Sequence, residues 1–273
     1  MPELPEVQTV VNTLSPHLVG RTIRRVVHLR ADIVEPAGFD LVNHLLGRRV
    51  ESIHRRAKRI VMALDDQNQL YIHLGMTGRL TVEPPDQERL IHTHLVLDIG
   101  QRELRFRDPR RFGGIFWLGR EACDQDLGPE PLTLRVDQLT KCLSSTTRAI
   151  KNALLDQTVI AGLGNIYVDE SLFAAGIHPL TPADQLKPDQ IARLNRSIKN
   201  VLRRALKHRG STLRDYVDAE GGKGAFQRLH KVYDRQGHPC PICRRPITRI
   251  VLGGRSTCFC IKCQPLKRTL RRS

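Results

Sequence analysis

The chain has 273 residues, 40% hydrophobic and 26% charged, enough to bury a real core and too long for one small module; two or three units are expected. Forty-four Lys plus Arg against 28 Asp plus Glu leave +16 at neutral pH, which favours a polyanionic partner over a small neutral one. No apolar run approaches the roughly 18 residues of a membrane span and no signal-peptide pattern opens the chain, so membrane-embedded and secreted classes are set aside.

The charge is unevenly spread. Residues 221–273 hold thirteen Lys/Arg and a single acid, Asp234. The low aromatic content, 4%, argues against single-strand binding by many stacked bases.

In chain order, Val7, Val10, Val11 and Leu14 fall on one helical face, with Pro5 in the first turn. The pattern then changes to period two. Ile60 to Leu64 is an apolar run, residues 65–68 read as a turn, and Leu70, Ile72 and Leu74 alternate with Tyr71 and His73. Leu95 and Leu97, a turn at 98–101, then Leu104 and Phe106 repeat the hairpin signal. Residues 1 to about 125 therefore read as a β-rich domain with a leading helix, a sandwich. Gly128-Pro129-Glu130-Pro131 reads as a linker. Beyond it the pattern is helical: Ile150, Ala153 and Leu154 share a face, and Asn165 is placed to cap a helix carrying Val168, Leu172 and Phe173. A long helix from about Asp189 buries Leu194, Ile198, Val201, Leu202 and Ala205, and Gly210 stops it. The stripe of Arg196, Lys199, Arg203 and Lys207 on that helix reads as a solvated face. The whole is an α+β multidomain chain.

Seven cysteines, four in two close pairs, point to a reducing compartment and metal ligation rather than to a disulfide frame. Cys240 and Cys243, then Cys260 and Cys263, make a C-x2-C-x16-C-x2-C pattern. Two such turns close a tetrahedron of thiolates around zinc, and with no open ligand position the metal is structural. The intervening residues suit a β-hairpin turning at Gly253-Gly254. Cys258 is expected to point the other way from Cys260, and Cys123 and Cys142 to be buried thiols.

Removal of Met1 exposes the secondary amine of Pro2. An α-amino group has a pKa near about 8, so a fair fraction is neutral and nucleophilic without special activation. Attack on a sugar C1′ yields an iminium directly, and the neighbouring Glu3 can donate or relay a proton. Taken alone the Met-Pro start says little, and Pro5-Glu6 also reads simply as a helix start.

Together these elements resemble the formamidopyrimidine-DNA glycosylase family of bacterial base-excision repair enzymes. The similarity runs over nearly the whole chain and in the family's order: PELPEV at 2–7, RRAK at 55–58, HLGMTG at 73–78 and DPRRFGG at 108–114, then AGLGNIYVDESLFAAGIHP at 161–179, STLRDY at 211–216, VYDRQGHPC at 232–240 and RSTCFC at 255–260.

The resemblance implies an N-terminal β-sandwich catalytic domain (1–127), a helix–two-turn–helix DNA-binding domain (128–225) and a zinc finger (231–265) with a basic tail to 273. DNA would lie in a basic cleft between the halves. It also implies excision of oxidised purines, chiefly 8-oxoguanine and formamidopyrimidines, from a flipped-out nucleotide, and strand cutting by β,δ-elimination. By matching position, Pro2 is the Schiff-base nucleophile, Glu3 the proton donor for base release, Lys58 the assistant of β-elimination, and Arg255 the phosphate grip that assists δ-elimination. Met76, Arg110 and Phe112 match the trio that fills the hole left by the base, although composition alone reads Met76 and Phe112 as core. His73, His92, Arg148, Lys151, Asn165 and Tyr233 match DNA-contacting positions, and Glu170 one that buttresses the site. Glu6, Ser211, Leu213, Arg214, Asp215 and Tyr216 match the base pocket, with a loop from Asp218 to Gln227 closing over it.

One structural zinc is implied, with double-stranded damaged DNA as partner, no membrane, a monomeric state and a cytoplasmic, nucleoid-associated location. Gln8, Thr146, Asp234 and Cys258 depart from the family's usual residues. The alternatives are an endonuclease VIII-like glycosylase for oxidised pyrimidines, which typically starts PEGPE where this chain has Leu4, and a non-catalytic zinc-finger DNA-binding protein, for which Pro2 and Glu3 would be needless.

Overall fold

A computed structural model describes residues 1–123, 126–213 and 216–266. The chain forms two compact units: Met1–Gln125 with Ala205–Gln227, and Asp126–Arg204 with Arg228–Ser273.

The first unit opens with α1 (Leu4–Leu18), whose Val7, Val10, Val11, Leu14 and Leu18 are buried as the 3.6-residue period requires. Strands β1 (Arg25–Leu29) and β2 (Val34–Glu35) precede the short helix α2 (Leu41–Leu45). Then come β3 (Val50–Arg56), β4 (Arg59–Leu64), β5 (Gln69–His73), β6 (Arg79–Glu83), β7 (Thr93–Asp98), β8 (Glu103–Arg107) and β9 (Gly114–Gly119). They make two sheets, ordered β1-β7-β8-β6 and β2-β9-β5-β4-β3. All neighbours are antiparallel except β2 and β9. The alternation of β5 and β6 puts Leu70, Ile72, Leu80 and Val82 inward, where they meet Leu95, Leu97, Leu104, Phe106 and the apolar face of α1 in one core. At about 25 cal/mol per Å² of apolar surface removed from water, this shared core is the main force holding the sandwich.

The second unit contains α3 (Val136–Ser144), α4 (Ile150–Leu155), α5 (Asn165–Ala175), α6 (Pro188–Lys207) and the hairpin β10 (Thr248–Leu252) and β11 (Arg255–Phe259). The residues of α6 from Ala205 onward cluster with the first unit.

Two details differ from the sequence reading. Gly128 is no loose linker residue: it is buried, its N–H reaches the Gln157 carbonyl at 2.8 Å, and a Cβ there would stand 2.6 Å from the Thr158 carbonyl oxygen. Asn165 is the first helical residue of α5 rather than its cap, which is Gly164. Cys258 is buried in the same apolar cluster as Cys240 and Cys260 but stands outside the four-thiol set.

Candidate functional site

In the first unit the chain is buried from Pro2 onward, with Met1 exposed. Pro2, Glu3 and Glu6 are all buried, Glu3 and Glu6 being 3% and 2% exposed. The Glu6 carboxylate explains the local order: Oε2 accepts the Glu3 N–H at 2.9 Å, closing the first turn of α1, and Oε1 accepts the Ser211 N–H at 2.6 Å. Gly210 makes that approach possible. Its φ is +75°, and a Cβ would lie 2.5 Å from Glu6 Oε1.

The Met1 ammonium is pushed below its ordinary value by burial, against the pull of the Glu3 and Glu6 carboxylates and with help from Lys58 and Arg110. The amino terminus, two carboxylates and two cations thus share one electrostatic neighbourhood. Lys58 is only 8% exposed, on the two-residue turn between β3 and β4, where Ala57 adopts φ +53°. A non-glycine residue there is strained, and such strain clusters at functional sites. Lys58 is therefore not the surface base that its neighbours Arg55, Arg56 and Arg59 suggest.

Two loops meet beside this start. Gly75 and Gly113 pack backbone to backbone: a Cβ at Gly75 would stand 2.5 Å from Gly113 N, and one at Gly113 would stand 2.4 Å from the His73 carbonyl oxygen. Asp108, fully buried, ties the pair together by accepting from the Thr77 hydroxyl at 2.5 Å and the Gly113 N–H at 2.8 Å. The loops present Met76 and Phe112 outward, 43% and 56% exposed, so neither is a core residue. The Arg110 guanidinium lies 4.6 Å over the Phe112 ring. His73 Nδ1 accepts the Gly75 N–H at 3.1 Å, and burial beside Lys58 and Arg59 lowers its pKa. His92 is exposed at φ +68°.

The segment after α6 carries Ser211, 4% exposed, Leu213, 46% exposed, and Tyr216, whose hydroxyl donates to the Arg209 carbonyl at 3.1 Å. Burial raises the Tyr216 phenol above its usual range. Arg214 and Asp215 lie outside the described residues. Asp218, fully buried, accepts from the Gly222 N–H at 2.8 Å, the Glu220 N–H at 3.0 Å and the Arg209 guanidinium, and so closes the start of the 218–227 loop on itself.

In the second unit α5 is buried over most of its length, Asp169 and Glu170 included, with Ala174 exposed. Oε1 of the Glu170 carboxylate accepts the backbone N–H groups of Lys231, Val232 and Tyr233, each at 2.9 Å. It thereby anchors the turn that presents Tyr233, and burial raises its pKa despite those donors. Lys151 is fully buried, its ammonium 2.7 Å from Asp169 and 2.8 Å from the Ser256 carbonyl oxygen, so it is not the exposed phosphate ligand that position matching suggests. Asn165 Nδ2 donates to the same Ser256 carbonyl at 3.0 Å. Arg148 is exposed and paired with Asp156 at 3.0 Å, and Arg255 is exposed at the first position of β11.

Asp108 and Asp169 are the residues that sequence reasoning passed over. Asp169 had a readable signal, since two adjacent acids inside an otherwise apolar helix demand partners. Asp108 had none beyond its place before Pro109.

The Sγ atoms of Cys240, Cys243, Cys260 and Cys263 all lie within 4.8 Å of one another, with Cys240–Cys263 at 3.8 Å and Cys243–Cys260 at 3.4 Å. Tetrahedral zinc with Zn–S bonds of about 2.3 Å needs sulfurs about 3.8 Å apart, so the set fits one structural zinc. Gln264 steadies the second knuckle, accepting the Cys260 N–H at 2.9 Å and donating to the Ile177 carbonyl at 2.8 Å. All seven cysteines are free: Cys123 is buried and Cys142 half-buried.

Comparison with known proteins agrees along the whole length. Residues 1–115 match the formamidopyrimidine-DNA glycosylase N-terminal domain, 127–217 its H2TH domain, and 237–266 the zinc finger found in FPG and IleRS. Formamidopyrimidine-DNA glycosylase of Chloroflexus aurantiacus is 44% identical over 271 residues, covering 97% of this chain and 98% of its own. The MutM (Fpg) protein of Thermus thermophilus superposes with a TM-score of 0.87 at 39% identity, over 98% of this chain and 100% of that one. A Lactococcus lactis Fpg mutant, solved in complex with Fapy-dG-containing DNA, gives a TM-score of 0.90 at 34% identity, over 97% and 100%.

Proposed function

The chain belongs to the formamidopyrimidine-DNA glycosylase family, and from that premise we propose that it is a bifunctional DNA glycosylase and AP lyase of base-excision repair, acting on oxidised purines in duplex DNA. The reading is carried by one observation: Pro2, Glu3, Glu6 and Lys58 are all buried at the amino terminus, which lies in the combined field of Glu3, Glu6, Lys58 and Arg110. Desolvation disfavours an ammonium, which favours the free, nucleophilic amine there.

After Met1 is removed, the Pro2 nitrogen attacks C1′ of the extruded nucleotide as the bond to the base breaks, and Glu3 supplies the proton the leaving base needs. Loss of the Pro2 N–H proton and cleavage of the C1′–O4′ bond, with a proton delivered to O4′, open the sugar ring to an iminium that acidifies C2′. Loss of that proton, assisted by Lys58, expels the 3′ phosphate. Arg255 holds the flanking phosphates and assists the second elimination, which expels the 5′ phosphate. Phe112, Met76 and Arg110 replace the lost stacking, while Glu6 and the 211–216 segment, including Arg214 and Asp215, hold the base. His73, His92, Arg148, Asn165 and Tyr233 contact the phosphate backbone, with Asn165 at a helix start suited to it.

In this reading residues 1–127 are the catalytic domain, 128–225 the helix–two-turn–helix domain and 231–265 the zinc finger. The zinc, held by Cys240, Cys243, Cys260 and Cys263, is structural and takes no part in the chemistry. No helix of the described residues is long and apolar enough to cross a membrane. With free cysteines throughout and a DNA substrate, the enzyme acts as a monomer in the cytoplasm, on the nucleoid.

Borohydride trapping on an 8-oxoguanine duplex tests the proposal. A covalent adduct at the N-terminal residue is the expected result. Absence of any adduct across a panel of lesion duplexes overturns the enzyme reading, and faster excision of 5-hydroxyuracil than of 8-oxoguanine overturns the purine preference.

A further inference from the structure

The finger hairpin pairs Val251 with Ser256 and Arg249 with Cys258, and among the described residues the outer edge of β11 has no strand neighbour. An unpaired edge presents backbone groups that must find partners when buried. Along a strand, the C=O of one residue and the N–H of the residue two further on face the same edge. Here those groups are the Ser256 C=O and the Cys258 N–H. The first accepts from Lys151 Nζ at 2.8 Å and the second donates to Asp169 Oδ2 at 2.8 Å. The two side chains close the circuit with their own ion pair at 2.7 Å, and they are 0% and 1% exposed. Asn165 Nδ2 makes a second contact to the Ser256 carbonyl, at 3.0 Å. One ion pair, supplied by α4 and α5, thus fills the hydrogen-bonding role of a third strand beside the residues that follow Arg255.

A buried ion pair is a poor device for stability alone, because an apolar pair of like volume packs as well without the desolvation cost. What an apolar pair cannot do is satisfy one carbonyl and one N–H at a set register. We propose that Lys151 and Asp169 are positioning residues for Arg255, fixing the register and heading of β11 so that the guanidinium is held where the flanking phosphates lie. This rests on the assignment of Arg255 to those phosphates given above.

The test uses the full-length zinc-loaded protein on a duplex with a preformed abasic site. It compares wild type with Asp169→Asn, which keeps an acceptor for the Cys258 N–H but removes the charge, with Lys151→Met, with Arg255→Ala and with Arg255→Ala/Asp169→Asn. The readouts are the ratio of δ- to β-elimination ends, borohydride trapping and bound zinc. A misplacement of about 1 Å costs up to roughly 10²-fold, so the δ-to-β ratio is expected to fall roughly ten- to hundred-fold in Asp169→Asn and Lys151→Met, with trapping and zinc retained. Because the pair acts through Arg255, Asp169→Asn should cause no further fall in the Arg255→Ala background, whereas an independent folding defect would add to it. If one single variant loses zinc, the other carries the comparison. An unchanged ratio in the zinc-loaded single variants, a fully additive fall in the double variant, or zinc loss in both singles overturns the positioning role. An unchanged ratio in Arg255→Ala overturns the assignment of Arg255 itself.

Discussion

Glu6 and Ser211 are joined across most of the chain by one carboxylate, whose second oxygen also closes the first turn of α1 through the Glu3 N–H. The segment that follows α6, proposed above to hold the base, and α1 therefore share an anchor, and a change at one is felt at the other. Glu6→Gln keeps the shape but offers a single acceptor, so one of two buried N–H groups loses its partner at a cost of about 1–3 kcal/mol. Excision of 8-oxoguanine should slow while cleavage of a preformed abasic site stays near wild type. Equal loss of both activities would place the anchor's role in folding rather than in holding the base.

A second expectation concerns the amino terminus. Active protein, and the peptide recovered from a borohydride adduct, should lack Met1 by mass spectrometry. Pro2→Gly, which exchanges the buried secondary amine for a primary one, should lower strand cutting roughly tenfold or more with duplex affinity nearly unchanged. Fully active material that retains Met1 would remove the chemical basis of the mechanism.

The sandwich was legible because its strands obey period two: Leu70, Ile72, Leu95 and Leu97 point inward as alternation requires. The zinc set was legible because its ligands come as two local pairs. The family's ordered motifs then supplied roles that composition could not, and for Met76 and Phe112 they outweighed it, since both side chains face outward. Three features stayed hidden because each depends on the folded backbone or on contacts between distant segments. Lys151 lies in a short apolar stretch, and only the fold brings Asp169 to it. Asp108 gains its role from the HLGMTG loop, thirty-one residues away from its partner Thr77. Asp234 takes a left-handed φ of +57°, which its own residue type and neighbours in the sequence do not announce.

The pH dependence of stability has an identifiable contributor in His230. Burial depresses its pKa to about 4, with Asp234 opposing and Arg235 helping. The unfolded chain, with an imidazole near about 6.5, binds the proton first as pH falls. The stabilisation from keeping this ring neutral is therefore complete above about pH 6.5 and lost as pH drops from there toward 4. Between pH 7 and 5 it amounts to about 2 kcal/mol. Urea titrations of wild type and His230→Gln at both pH values should show the variant losing less on acidification, and parallel losses would assign the effect to other groups.

Zinc removal should act on binding before chemistry. The finger has few apolar residues around its four thiols, a cluster of Phe173, Val232, Ile247, Cys258 and their neighbours. A core that small does not hold the hairpin without the metal's contribution. Protein verified as zinc-free should lose most of its affinity for duplex DNA. Full binding by such protein would show that the hairpin holds its shape through the contacts of Gln264, Lys151 and Asp169 alone.

Phe112 separates the demands of folding from those of function. Its ring is more than half exposed beneath the Arg110 guanidinium, whereas Ile72, on the strand leading into the facing loop, is buried in the sandwich core. Truncating an exposed side chain changes stability by no more than about 0.5 kcal/mol, while Ile→Ala in a core costs about 2–5 kcal/mol. Stacking against a base is worth about 1–3 kcal/mol, so Phe112→Ala should weaken binding to lesion duplex roughly tenfold and leave the urea midpoint in place. Ile72→Ala should shift the midpoint strongly, with activity falling only as the folded fraction does. If Phe112→Ala destabilised the fold as Ile72→Ala does, the outward ring would be serving the core after all, and its place in the lesion site would have to be given up.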